Sequence, residues 1–161
     1  SLKLSKFTVF QGEYVSSALD RLKNLTAQIS SYELERKKNL KELERLHTVL
    51  GIDAKVPRFE ELFDFKAINL SGISLSDEDL GSLKEGKYAQ VIGIVYDKEA
   101  KVKNKNISLA YYGRVEKLSE GRKKEIVAFV LGWRFEKSFR TLEHYYRLMG
   151  RVGPVGDAEA C

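Results

Sequence analysis

A 3.5-residue apolar repeat from Tyr14 to Leu50 constrains this chain more than any other feature. With Val15 at heptad position a, the a positions read Val15, Leu22, Ile29, Arg36, Leu43 and Leu50, and the d positions Ala18, Leu25, Tyr32, Asn39 and Leu46. Only Arg36 and Asn39 break the apolar pattern. A stripe that narrow is buried by another helix laid nearly parallel to it. No Gly or Pro interrupts the stretch, and at about 1.5 Å per residue its helix runs for roughly 55 Å. That is longer than a domain of this size is wide, so part of the stripe is expected to project and to need a partner.

The expected interface is therefore Val15, Leu22, Leu25, Ile29, Tyr32, Arg36, Asn39, Leu43, Leu46 and Leu50. A second copy gives the simplest partner, a homodimer; a hetero-complex is the other. Arg36 and Asn39 carry two readings. Either they face solvent where two helices diverge, or they fix register by penalising slipped pairings. On the register reading, replacing both by Leu raises stability and loosens specificity.

At 161 residues the chain holds one domain, or a small domain with an extended element. No run approaches the ~18 uninterrupted apolar residues of a membrane span, and no secretory signal is visible. The single cysteine, Cys161, excludes an intrachain disulfide framework and a cysteine zinc site, and suits a reducing, cytoplasmic compartment. The opening Ser1-Leu2, without methionine, fits a processed product or a fragment. A net charge of +5 permits contact with nucleic acid or an anionic surface without arguing for it.

Residues 1–12 read as a short strand or lead-in, alternating until Gly12. The coiled-coil helix occupies 13–51, closed by Gly51 and Pro57. A small α/β lobe then spans 58–150, and 151–161 form a tail rich in glycine. Within the lobe, Phe65 to Leu75 is expected as a strand with a bulge at Gly72. Ser76 to Glu85 reads as a short helix begun by an acidic cap, and Tyr88 to Tyr96 as the clearest strand. Ile107 to Val115 completes a hairpin with a basic tip. Ser119 to Leu131 has helical spacing, although Ile126 to Leu131 is dense enough for a buried strand. Arg134 to Arg140 then serves as a closing strand, and Thr141 to Gly150 as a terminal helix. The overall expectation is α+β: a long coiled-coil helix attached to a small ferredoxin-like (βαββαβ) lobe.

Catalytic patterns are sparse. His47 and His144 lack any metal-binding spacing, Cys161 has no basic neighbour to activate it, and Asp77 to Asp79 suit a helix cap. Neither a catalytic residue, a metal nor a cofactor is assigned, and the chain reads as non-enzymatic. The alternative is a dimeric nucleic-acid-associated protein. Aromatic and basic residues interleave from Trp133 to Arg151, and Lys101, Lys103, Lys105, Arg134, Lys137, Arg140 and Arg147 are its candidate contacts. Against it, the aromatics can equally fill a core beneath the sheet, and the ribonucleoprotein aromatic motif is missing.

Ile68-Asn69-Leu70-Ser71-Gly72-Ile73-Ser74-Leu75 followed by Ser76-Asp77-Glu78-Asp79-Leu80 resembles a strand, glycine and acidic helix start in one family. That family is the cytoplasmic arm of the membrane-anchored stator subunit of archaeal-type and vacuolar-type rotary ATPases. Ile107 to Arg114, the helix to Leu131, and Gly132-Trp133-Arg134-Phe135 are similar to its strand, helix and return strand. The resemblance covers about half the chain. It implies a mechanical strut joining a peripheral stalk to the membrane sector, with no catalysis. The family arm pairs two antiparallel helices, whereas one long helix is expected here, and the family's membrane half is missing.

Overall fold

The computed structural model describes residues 2–99, 101 and 103–156, and the side-chain surroundings of all of these except 2–15, 29 and 30. It divides into two units, one ending at Lys38 and one beginning at Asn39.

The first unit is helical. Helix α1 (Leu2–Val49) crosses the boundary between the units without a break. The strand expected at 1–12 is therefore corrected to helix from Leu2 onward. Leu4, Phe7 and Phe10 recur every three residues, a helical and not an alternating spacing, and one glycine at 12 costs a helix only about 1 kcal/mol. From 16 to 28 and from 31 to 38 all side chains are exposed except Arg36, which is half-buried.

The second unit is built on a three-stranded antiparallel sheet of order β1-β2-β3, comprising β1 (Ala67–Ser71), β2 (Tyr88–Tyr96) and β3 (Asn104–Arg114). Helix α2 (Glu120–Val152) follows. Short 3-10 turns at Ile52–Ala54, Phe59–Asp64 and Val115–Lys117 join the pieces. This is α+β, but the ferredoxin-like βαββαβ lobe is overturned: among the described residues three strands are present, and no helix separates β1 from β2.

Two local causes explain the difference. At 76–85 the polar side chains bond one another instead of starting a helix. Ser74 and Ser76 both donate to the Asp79 carboxylate, Gly81 N–H donates to Ser74 O, and Gly81 turns the chain at φ 84°. At 134–140 the residues expected as a fourth strand continue α2. Ser119 caps that helix by accepting from Arg122 N–H at 3.1 Å, and no residue before Val152 stops it.

The core lies on one face of the sheet. Ile68, Ala89, Val91 and Leu109 point into it from the strands, Leu43, Leu46 and Leu50 from the end of α1, and Ile126, Phe129, Val130 and Trp133 from α2. The α1 end and α2 meet where Asn39 Nδ2 donates to Gly132 O at 2.8 Å. A Cβ at Gly132 would lie 2.8 Å from Asn39 Oδ1 and 3.1 Å from Leu43 Cδ2, so glycine sets how closely these helices approach. The β2–β3 ladder shifts register between Ala89 and Gln90 and again between Val91 and Ile92. These irregularities raise the local twist of β3, which forms an edge of the sheet.

Candidate interaction surfaces

The seam residues part company along α1. Leu43, Leu46 and Leu50 are buried in the second unit's own core. Asn39 is half-buried on Gly132, and Arg36 is half-buried too. Leu22, Leu25 and Tyr32 are more than half exposed, at 62%, 57% and 56%, and Leu19 and Leu34 match them. The side chains of Val15 and Ile29 lie outside those the structure describes. Unit one thus carries an exposed apolar stripe, whereas the C-terminal third of the heptad pattern belongs to a core.

The basic residues read as nucleic-acid contacts also divide. Arg134 donates through Nε and Nη2 to Ile68 O and through Nη2 to Asn69 Oδ1, at 3.1–3.4 Å. Lys137 Nζ donates to Phe63 O at 2.6 Å, and its partial burial holds its pKa below the usual lysine value. Trp133 Nε1 donates to Leu62 O at 2.8 Å. These positions of α2, spaced one and three apart, clasp the 62–68 segment and cover the edge of β1. Arg140 bridges Glu136 and Glu60, each at 2.8 Å, and stacks over the Phe63 ring at 3.9 Å. Three of the seven expected contacts therefore hold the fold together. Lys101, Lys103 and Lys105 sit exposed at the β2–β3 hairpin, and Arg147 is exposed on α2.

Sequence reasoning missed the outer face of the sheet. Tyr88, Gln90, Ile92, Ile94 and Tyr96 alternate away from the core on β2, opposite Arg114, Tyr111, Ser108, Asn106 and Asn104 on β3. Tyr88 and Tyr111 stack at 6.0 Å, and Gln90 donates to Ser108 Oγ at 2.5 Å. The period-two pattern of Tyr88 to Tyr96 carries that signal, since a strand apolar on both faces has two faces to cover. Leu142, Tyr145, Tyr146 and Met149, the apolar side of the expected terminal helix, lie on α2 and are all exposed, as is Val152.

Burial changes the chemistry of few groups. Tyr112 donates to Leu50 O at 2.9 Å, and burial pushes its hydroxyl up to about 12. The Gly86 N–H holds the Glu116 carboxyl below the usual carboxylate range, and the Ser74 and Ser76 hydroxyls do the same to Asp79. His47 is buried, its Nε2 2.6 Å from Val56 O, with its ring edge-on to Phe59. Among the described residues no three His, Cys, Asp or Glu side chains gather as metal ligands, and no helix is long and apolar enough to cross a membrane. Cys161 lies outside the described residues.

No protein-family model matches the chain, and neither a curated protein nor a solved structure gives a significant match.

Proposed function

We propose that this chain is a non-enzymatic connector that joins partners in a larger assembly, associating through the stripe of α1 between residues 16 and 38. The observation that carries this reading is an asymmetry of burial. The second unit closes its own core with Leu43, Leu46 and Leu50, while Leu19, Leu22, Leu25 and Tyr32 of the same helix remain more than half exposed. Soluble proteins rarely leave such a contiguous apolar stripe uncovered. Two of the stretches that carry the stator-arm resemblance, the helix start at Ser76 to Asp79 and the return strand at Gly132 to Phe135, form a turn and a part of α2, so the connector reading rests on the burial asymmetry and not on that resemblance. Under this reading the connector is a torque-resisting strut in a reducing cytoplasmic compartment, reaching a membrane surface only through its partners. The internal bonds of Arg134, Lys137 and Arg140 weigh against the nucleic-acid alternative.

Light scattering on the purified chain tests the reading. A mass about twice 18.4 kDa is expected, reverting to the monomer in the Leu22→Glu, Leu25→Glu variant and holding in high salt, because an apolar seam is weakly screened. Association only with an oligonucleotide, lost steeply as salt rises, sinks it, and a monomer at every concentration sinks the self-association and leaves a heterologous partner as the occupant of the stripe.

A further inference from the structure

We infer that the stripe of α1 takes a second copy of this chain laid antiparallel and centred on Ala27, so that the two lobes begin at opposite ends of the paired helices. The inference rests on the connector reading and fixes the orientation of its association.

The exposed segment sets the alignment. Between residues 16 and 38 every side chain described is exposed except Arg36, and from Leu43 onward the same stripe belongs to the lobe's own core. A partner helix can cover the seam up to about residue 38 and no further. In an antiparallel pair each a position meets a d position of the other helix. One such alignment lays 16–38 of one copy wholly against 38–16 of the other, with Leu22 meeting Tyr32 and Arg36 meeting Ala18. Sliding it one heptad toward the lobe sets Leu22 against Asn39, whose amide is held by the Gly132 carbonyl.

The charges that flank the seam choose the orientation. In this segment the g positions are Arg21, Gln28 and Glu35, and the e positions Leu19, Thr26 and Glu33. Antiparallel pairing sets g beside g and e beside e. Arg21 of each copy then lies beside Glu35 of the other, twice by symmetry, while Gln28 meets Gln28 and Leu19 meets Glu33. Glu35 already approaches Lys38 at 3.6 Å, an exposed pair that leaves the carboxylate further acceptor sites for a guanidinium. Sliding one heptad away from the lobe sets Arg21 against Gln28 and loses the ion pairs.

Parallel pairing uses the same residues badly. There each g position meets the e position five residues on, so Arg21 meets Thr26, Gln28 meets Glu33 and Glu35 meets Leu40. No opposite charges come together, and Arg36 falls opposite Arg36 inside the seam. Beside the small Ala18, its long stem has room instead. The twelve residues from Ala27 to Asn39, counted in both copies, start the two lobes about 36 Å apart along the helix axis, whereas a parallel pair starts them side by side.

Charge reversal and cross-linking of the full chain test the orientation. Arg21→Glu alone, and Glu35→Arg alone, should each weaken the dimer about tenfold by sedimentation, and the double variant should recover most of that loss. Positions 21 and 35 are four helical turns apart in one chain, so the recovery reports contact between copies. In a Cys161→Ser background, Leu22→Cys chains mixed with Tyr32→Cys chains should form a disulfide between copies, and neither should do so by itself. A dimer whose single variants each cross-link alone, or whose charge reversals do not compensate, overturns the antiparallel inference and leaves the connector reading standing. A monomer at every concentration overturns the inference together with the self-association.

Discussion

Trp133, Arg134 and Lys137 show how a side chain that looks like a ligand contact becomes part of a scaffold. Each supplies a donor to a carbonyl in the 62–68 segment, and a buried carbonyl left without a donor costs about 1–3 kcal/mol. Their aromatic and cationic character serves the fold first. Tyr112 does the same from the sheet, closing the carbonyl of Leu50 beneath the Arg122 guanidinium, 5.9 Å from its ring. Tyr112→Phe should therefore destabilise the lobe by about 1 kcal/mol, read as a lower urea midpoint. The pH dependence follows from burial, which raises the folded-state value to about 12 above the ~10 of an unfolded tyrosine. Stability tied to the protonated hydroxyl is whole below about pH 10 and is lost as pH rises through 12. Wild type should thus lose more stability than the Phe variant across that window. Parallel pH profiles for the two proteins would show that the hydroxyl is not sequestered.

Where α1 meets α2, Asn39 and Gly132 decide the geometry. Gly132→Val should destabilise by about 1–3 kcal/mol, because the added methyls meet Asn39 and Leu43 with nowhere to go. A thermal melt at wild-type temperature would mean that the helices part easily. The same contact changes the outcome of replacing Arg36 and Asn39 by Leu. The polar pair is no gap in an intermolecular seam at Asn39, whose amide already has its partner, so that half of the substitution should cost about 1 kcal/mol instead of adding stability. Much of the lobe was legible. Tyr88 to Tyr96 is a strand at the expected limits, the hairpin to β3 forms, and Ser119 starts the helix. The rest was hidden by Gly132 and the aromatics after it, which read as a break and a return strand. Their real pattern is helical, with Trp133, Lys137 and Arg140 facing the 59–68 segment at spacings of four and three. Only a neighbour placed by tertiary packing separates the two readings. The Ser76 to Asp79 cap failed for a related reason, since its hydroxyls and carboxylate satisfied each other within a turn.

Across the whole molecule, the single tryptophan is a reporter for one unit only. Trp133 is buried in the core of the second unit, while far-ultraviolet dichroism also reads the helix of the first. Two transitions are expected on heating. Loss of helicity from residues 16 to 38 should move to higher temperature as protein concentration rises, as association requires; Trp133 fluorescence should change at a temperature independent of concentration. One coincident transition at all concentrations would show that the stripe of α1 is not an association surface. The core also draws on both ends of its unit, with Leu43 to Leu50 on one side and Ile126 to Trp133 on the other. During synthesis at roughly 5–20 residues per second, the stripe at 16–38 leaves the ribosome several seconds before Trp133 does. Nothing can close the lobe in that interval, yet the stripe is already complete, so under the proposed association two chains are free to pair on neighbouring ribosomes of one message before either has a folded core.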